Sequence, residues 1–100
     1  MIDLVMKGAD KWKEHVVEPW LFHPLLAKAD LAWTRLEGIN LARADLYMAH
    51  LSGATMDKAS LFLANLEEAE MELVSLRSAD CREAGFFGTN LFGANLERQT

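Results

Sequence analysis

Hydrophobic residues recur at every fifth position of the chain from Leu26 onward. The fifteen positions of this register hold eleven leucines, two methionines, one cysteine and one phenylalanine. Two residues before these centres stands an apolar residue or a threonine, and this residue is alanine at ten of the fourteen positions from 29 to 94. The residue just before the centre is usually short and polar. The register runs from Pro24 to Arg98 without a break.

A period of five fits neither an α-helix nor a flat β-strand. A helix turns about 100° per residue, so five residues advance roughly 500° and the leucines would share no face. In a strand, an odd period would put successive leucines on opposite faces. The pattern therefore predicts a chain that turns a corner within every five residues and stacks its coils, with the leucine and the alanine pointing inward. Where Asn or Asp precedes the centre residue, it tolerates tight turns and bonds local backbone groups.

The clearest copies of the repeat are Ala29-Asp30-Leu31, Ala44-Asp45-Leu46, Ala64-Asn65-Leu66 and Ala94-Asn95-Leu96. They resemble the A-(D/N)-L-x-x motif of the pentapeptide repeat family, over residues 24–98. The resemblance implies an all-β solenoid, a right-handed quadrilateral parallel β-helix with four pentapeptides per coil. Fifteen pentapeptides then predict about 3.75 coils. The predicted core residues are Leu31, Leu36, Leu41, Leu46, Leu51, Met56, Leu61, Leu66, Met71, Leu76, Cys81, Phe86, Leu91 and Leu96.

Residues 1–23 are expected to form an α-helical cap and a linker, because the edge of an open coil must be covered. Asp3 is the predicted N-cap of one helix that runs to about Val17 and is stopped by Pro19. This segment resembles the helical cap that precedes many pentapeptide-repeat domains, and it forms one structural domain with the repeats. The predicted apolar stripe of the helix is Val5, Ala9, Trp12 and Val16, and Trp20, Leu21 and Phe22 are expected to pack between helix and first coil.

The C-terminal end of the repeats leaves three alternatives. The last coil frays, or another subunit covers it, or the 100 residues are a piece of a longer repeat. Large apolar residues at outward positions suggest a partner contact, because aromatic patches often mark interfaces. The alternative for these side chains is packing against the rod. The candidate interaction residues are Phe87, Phe92 and Tyr47, with Phe62 and Leu63 as a smaller patch on another face. Trp33, Met48 and Leu73 also point outward with no role assigned.

The net charge of −5 comes largely from one acidic patch, Glu67, Glu68, Glu70 and Glu72. The patch is either a solvated corner that keeps the rod soluble or a docking site for a basic surface. Direct nucleic-acid binding is not expected, since it draws affinity from lysine and arginine set against phosphates.

The sequence contains few residues in arrangements that suit catalysis or metal binding. The three histidines lie far apart, and Cys81, the single cysteine, occupies a centre position and is expected to be a buried thiol. No catalytic residue, metal site, cofactor or concave pocket is predicted, and the protein is interpreted as not an enzyme. A lone cysteine, the lack of a signal-peptide pattern and the lack of an apolar run of ~20 residues favour the cytoplasm and no membrane contact.

The leading functional prediction is a non-catalytic interaction or scaffold module with an unknown protein partner, including the option of a homodimer through the C-terminal end. One alternative follows from the resemblance: some family members imitate DNA and inhibit or protect DNA gyrase, a type II topoisomerase. Another alternative is the stem of a larger multidomain protein whose function lies elsewhere.

Overall fold

A computed structural model describes residues 1–15 and 23–100. The predicted helix end near Val17, the stop at Pro19 and the packing of Trp20, Leu21 and Phe22 lie outside the described residues.

The repeats form a parallel four-sided solenoid. Every fifth residue makes a parallel bridge to the residue 20 positions further on, beginning with Leu25 to Asp45 and ending with Ser75 to Asn95. A separation of 20 residues equals four pentapeptides, so each coil has four sides. Each side contributes one bridge residue, and no longer strand occurs within residues 23–100.

The pentapeptides centred on Leu26 to Cys81 are hydrogen-bonded to the coil that follows them. Leu46 N–H donates to Asn65 C=O at 2.8 Å, and Met48 N–H donates to the carbonyl of residue 67 at 3.0 Å. Asn65 N–H donates in the opposite direction to Ala44 C=O at 2.9 Å. Within one coil, Ala49 N–H donates to Leu46 C=O at 2.9 Å and closes the corner. The same set of bonds recurs along the stack, so every five residues contain one turn.

The left-handed residue of each turn stands two places after the centre. All fifteen residues at this position, from Lys28 to Arg98, have φ between 55° and 73°. Eleven of them are not glycine, although a left-handed conformation costs an ordinary residue roughly 1–2 kcal/mol. From Lys28 to Ser78 the amide of this residue, as in Met48, donates a hydrogen bond to the next coil, whereas Glu83 and Arg98 have the same positive φ without such a bond. The sequence analysis predicts that the Asn or Asp before the centre forms the turn. The residue with positive φ lies three positions later in the chain.

The Asn and Asp side chains do bond the local backbone, as predicted from the sequence. Each of the seven at this position accepts a hydrogen bond at its Oδ1 from the backbone N–H two residues later, at 3.0–3.3 Å. They therefore fix the start of the seven turns in which they occur. These residues are Asp30, Asn40, Asp45, Asn65, Asp80, Asn90 and Asn95.

The stack has four faces, each made of the pentapeptides around one row of centre residues. Face 1 is centred on Leu26, Leu46, Leu66 and Phe86, and face 2 on Leu31, Leu51, Met71 and Leu91. Face 3 is centred on Leu36, Met56, Leu76 and Leu96, and face 4 on Leu41, Leu61 and Cys81. Faces 1 and 2 adjoin, and face 4 lies opposite face 2.

The centre residues meet inside the coils, where those from Leu26 to Cys81 are buried. In the last coil, Phe86 and Leu91 are half-buried and Leu96 is 43% exposed, which differs from the predicted core. The reason is geometric, because no described coil is stacked beyond them. Cys81 is 6% exposed, and burial raises the pKa of its thiol.

The N-terminal segment contains two short helices, α1 (Ile2–Met6) and α2 (Ala9–His15). The prediction of a single helix capped by Asp3 is therefore wrong: Asp3 lies inside α1, and the N-cap is Met1, which makes no side-chain bond. Gly8, with φ of 95°, separates the helices, and its N–H donates to Val5 C=O at 2.9 Å. A left-handed glycine is a common way to end a helix.

Two side chains connect these helices to the coils. Val5 and Trp12 are fully buried and belong to the same apolar cluster as the repeat centres. The Trp12 indole Nε1 donates to Asn40 C=O at 2.6 Å, on the edge of the first coil. Neither helix, nor any other within residues 1–15 and 23–100, has the length and hydrophobicity that a membrane span requires.

Candidate interaction surface

Charge is divided unequally among the four faces. Faces 1 and 2 carry one basic residue, Lys28, against six acidic ones. Faces 3 and 4 carry six basic and five acidic residues. The acidic residues of faces 1 and 2 are Asp30, Asp45, Glu67, Glu68, Glu70 and Glu72. The acidic patch predicted from the sequence thus lies on the two adjoining faces that hold the negative excess of the repeats.

Three glutamates of the patch pair with residues about one coil earlier. Tyr47 Oη donates to Glu68 Oε2 at 3.3 Å, and Ser52 Oγ donates to Glu72 Oε1 at 3.0 Å. His50 Nδ1 pairs with Glu70 Oε2. The negative charge of Glu68 raises the pKa of the Tyr47 hydroxyl. The carboxylates are therefore oriented along the stack.

Exposed apolar side chains gather on the same two faces. Of the large outward apolar residues that are exposed within residues 23–100, only Leu63 belongs to face 4 and none to face 3. Phe87 and Phe92 are the most open, at 80% and 79% exposed. The others on faces 1 and 2 are Leu25, Trp33, Tyr47, Met48 and Leu73. Isolated exposed apolar residues are ordinary, but a concentration on one side of a molecule marks a contact surface.

Face 2 contains a row in which large residues alternate with glycine. A Cβ built on Gly53 would lie 2.1 Å from the Trp33 ring, and one built on Gly93 would lie 2.8 Å from Leu73 Cδ2. Each large side chain therefore rests on the bare backbone of the next coil. We call Trp33, Leu73 and Phe92 the face 2 stripe, since Phe92 directly precedes Gly93.

Phe62 and Leu63, predicted as a smaller patch, lie on the opposite side of the rod from the face 2 stripe. The Phe62 ring is half-buried, with the Arg43 and Arg82 guanidinium carbons 5.7 Å and 5.3 Å from its centroid. Arg82 also makes two 2.8 Å bonds to Asp80, and these lower the pKa of Asp80 to about 2. The two arginines thus cover Phe62, which does not lie on the same faces as the candidate interaction residues outside this smaller patch.

The five interaction residues predicted from the sequence lie on three faces of the stack. Tyr47 and Phe87 lie on face 1, Phe92 on face 2, and the pair at 62 and 63 on face 4. Trp33 and Leu73 point outward in the sequence pattern but have no predicted role. The signal that could have identified them is the 20-residue spacing from Trp33 to Gly53 and from Leu73 to Gly93.

A cavity of about 570 Å³ lies where α2 meets the first coil, in contrast to the expectation of no pocket. Its lining residues are Ala9, Asp10, Trp12, Lys13, Glu37, Gly38 and Asn40. The described residues contain no group of three or more His, Cys, Asp or Glu side chains placed to hold a metal ion.

Comparisons with known proteins agree on the architecture. A family model described as pentapeptide repeats, in eight copies, matches residues 26–61. A pentapeptide repeat protein from the cyanobacterium Cyanothece 51142 is 31% identical, with a TM-score of 0.74 over 76% of this chain. One from the Arabidopsis thaliana thylakoid lumen is 29% identical, with a TM-score of 0.75 over 81% of it. One from Nostoc PCC 7120 is 34% identical, with a TM-score of 0.69 over 70% of it.

The chain spans little more than half the length of these solved relatives. The matched regions cover 52%, 57% and 58% of the three chains, respectively. A comparison with curated protein sequences gave no match.

Proposed function

Because this chain belongs to the pentapeptide repeat family of right-handed quadrilateral β-helices, we propose that it is a non-catalytic protein-interaction module. The observation that carries the proposal is the gathering of exposed apolar and acidic side chains on faces 1 and 2. The inward positions of each pentapeptide are occupied by packing, so only outward positions are free to recognise another molecule.

The coil suits this role because it holds its outer residues in fixed positions. A residue such as Met48 is bound through its backbone to the next coil, and Ala49 closes the turn directly after it. A partner that binds such a surface loses little free energy to ordering of the backbone. The regular stack therefore acts as a preorganised platform.

The N-terminal helices act in this proposal as the cap of a stack of about 3.75 coils. The Trp12 bond to Asn40 supports this role, since it satisfies one carbonyl on the edge of the first coil. Trp12→Phe keeps an aromatic ring and removes the donor. We expect a loss of roughly 1 kcal/mol in the free energy of unfolding, measured by denaturant titration. An unchanged value would contradict the capping bond.

Two alternatives make different demands on the surface. A DNA mimic directed at a type II topoisomerase needs negative charge around the rod, whereas faces 3 and 4 carry six basic residues. Inhibition or protection of gyrase supercoiling by the purified protein would favour the mimic. The homodimer through the C-terminal end predicts a doubled molar mass in light scattering, with the half-buried Phe86 and Leu91 as contact residues.

The interaction module is tested by crosslinking from faces 1 and 2. A photoreactive amino acid is placed at Tyr47 in one variant and at Leu63 on face 4 in a matched control. We expect a discrete crosslinked protein in cells from the first position and none from the second. Equal crosslinking from both positions, or none from either, would contradict an interaction through faces 1 and 2.

A further inference from the structure

We infer that faces 1 and 2 bind a basic amphipathic protein segment, with its apolar residues on the face 2 stripe and its lysine or arginine residues at the neighbouring glutamates. The inference rests on the proposed interaction function and specifies the chemistry of the partner. It follows from the coincidence of apolar and acidic side chains, since neither property alone defines a site.

The apolar contact is long enough for a short helix. Trp33 lies in the first coil and Phe92 in the fourth, so the face 2 stripe extends over three coil spacings, roughly 14 Å at ~4.8 Å each. An α-helix rises this far in about ten residues, at ~1.5 Å per residue. Apolar residues at i, i+7 and i+10 of such a helix share one side of it and can reach Trp33, Leu73 and Phe92 in turn.

The acidic residues select the charge of that helix. Glu70 and Glu72 flank the centre Met71 in the same pentapeptide as Leu73 of the stripe. Each glutamate uses one oxygen for its intramolecular partner, His50 or Ser52, and a carboxylate has a second oxygen that can accept from lysine or arginine. An acidic segment would be repelled by faces 1 and 2, where Lys28 is the only basic residue.

Other occupants fit the surface less well. Nucleic acids and anionic lipid surfaces carry the same sign of charge as faces 1 and 2. A second copy of the chain has a net charge of −5, and its faces 3 and 4 together carry only one more basic than acidic residue. A basic amphipathic segment supplies both the missing charge and the apolar contacts.

Three synthetic peptides of equal length test the inference by fluorescence anisotropy with the full chain. The first carries leucine along one helical face and lysine on the others, the second has serine for every leucine, and the third has glutamate for every lysine. We expect the first to bind at least about tenfold more tightly than the other two. Equal binding of either control peptide, or no binding of the first, would overturn the inference.

Variants then locate the binding site. Trp33→Ser with Phe92→Ser changes two exposed residues of the stripe, and Glu70→Gln with Glu72→Gln removes the flanking charges. Each pair should weaken binding of the leucine–lysine peptide by about fivefold or more, whereas Leu63→Ser on face 4 should not. Thermal melting by circular dichroism checks that every variant is folded. An equal loss in the face 4 control would overturn the assignment to face 2.

The inference and the proposed function can fail separately. If the crosslinked partner is a protein that contacts faces 1 and 2 through an acidic or uncharged segment, the interaction function stands and the inference is wrong. If no partner is crosslinked from faces 1 and 2, the proposed function fails. A crosslinked segment that is basic and amphipathic supports both.

Discussion

The indole ring of Trp33 lies directly over the backbone of Gly53, one coil further along the stack. A Cβ on Gly53 would fall 2.1 Å from Cε3 of that ring, a distance that cannot be accommodated without movement. Trp33 is nevertheless 69% exposed, because one side of the ring faces solvent. Because Gly53 has no side chain, the Trp33 ring can pack against the backbone of face 2. This contact sets the shape of the face 2 stripe.

Gly53→Ala should destabilise the protein more than Gly38→Ala. Both glycines have positive φ, 71° and 70°, so both alanines carry a similar backbone strain of about 1 kcal/mol. A Cβ on Gly38 meets nothing within 4 Å, so only Gly53→Ala also displaces the Trp33 ring. Denaturant titrations of both variants measure the difference. Combining each with Trp33→Ser should abolish it, and a difference that persists without the ring would contradict the contact.

Leu66→Ala should cost much more stability than Leu96→Ala. The two leucines hold the same place in the repeat, but Leu66 is fully buried and Leu96 is 43% exposed. A cavity at Leu66 is expected to lower the free energy of unfolding by roughly 2–5 kcal/mol. The change at Leu96 should be below about 1 kcal/mol, because much of that side chain is already in water. Similar losses at both positions, measured by urea unfolding, would mean that the last coil is covered in solution.

Glu68→Gln should lower the pKa of Tyr47. The carboxylate of Glu68 raises this pKa above the usual 10.0 by its negative charge and by accepting the hydroxyl hydrogen bond. A raised pKa means that the stabilising contribution is present below pH 10.0 and is lost as the pH rises through the folded value. Tyr47 is the only tyrosine, so ultraviolet absorbance follows its titration directly.

The control for this titration is Leu63→Ser, a change on face 4 that leaves the tyrosine and its neighbours in place. Its titration curve should coincide with that of the unmodified chain. If the pKa of Tyr47 is unchanged in Glu68→Gln, the Glu68 carboxylate does not lie beside the Tyr47 hydroxyl.

Asp80→Asn should flatten the acid dependence of stability. Hydrogen bonds from Arg82 lower the pKa of Asp80 from 3.8 to about 2. The carboxylate therefore stabilises the fold above pH 3.8, and this contribution is lost as the pH falls from 3.8 to about 2. Thermal melts across that interval should show a smaller fall for Asp80→Asn than for the unmodified chain, and coinciding curves would contradict the pairing with Arg82.

The matched control for this acid series is Asp45→Asn. Asp45 stands at the same place in the repeat, and its Oδ1 accepts from the backbone N–H of Tyr47. The described bonds to this carboxylate come from no arginine side chain, so Asp45→Asn changes a turn carboxylate without removing an arginine pair. An equal flattening in both variants would assign the effect to the turn instead of the arginine.

Much of the local chemistry could be predicted from the repeat. The Asn and Asp residues before the centres bond the backbone two residues on, as their residue type suggests. The left-handed residues could not be found in this way, because eleven of the fifteen are residues that avoid positive φ in isolation. In Leu63 and Leu73 the left-handed conformation goes together with amide hydrogen bonds to the next coil, at carbonyls 19 residues away in sequence.

The candidate surface, like the turns, could be predicted from the sequence only in part. Acidic residues and outward aromatic residues are visible in the sequence, but Phe62, grouped there with exposed residues, is covered by Arg43 and Arg82. Those arginines lie 19 and 20 residues from the phenylalanine and reach it only because successive coils stack in register. The sequence likewise indicates one N-terminal helix, whereas the left-handed Gly8 divides it into two.

The sequence by itself determined the solenoid, because a period of five allows the leucines and alanines to share a core only in a chain that turns at every repeat. It also determined which residues point outward. Only the tertiary structure decided which outward residues become neighbours, because that depends on the 20-residue separation of stacked coils. Through that separation Trp33 lies on Gly53, Tyr47 reaches Glu68, and the negative charge collects on two faces out of four.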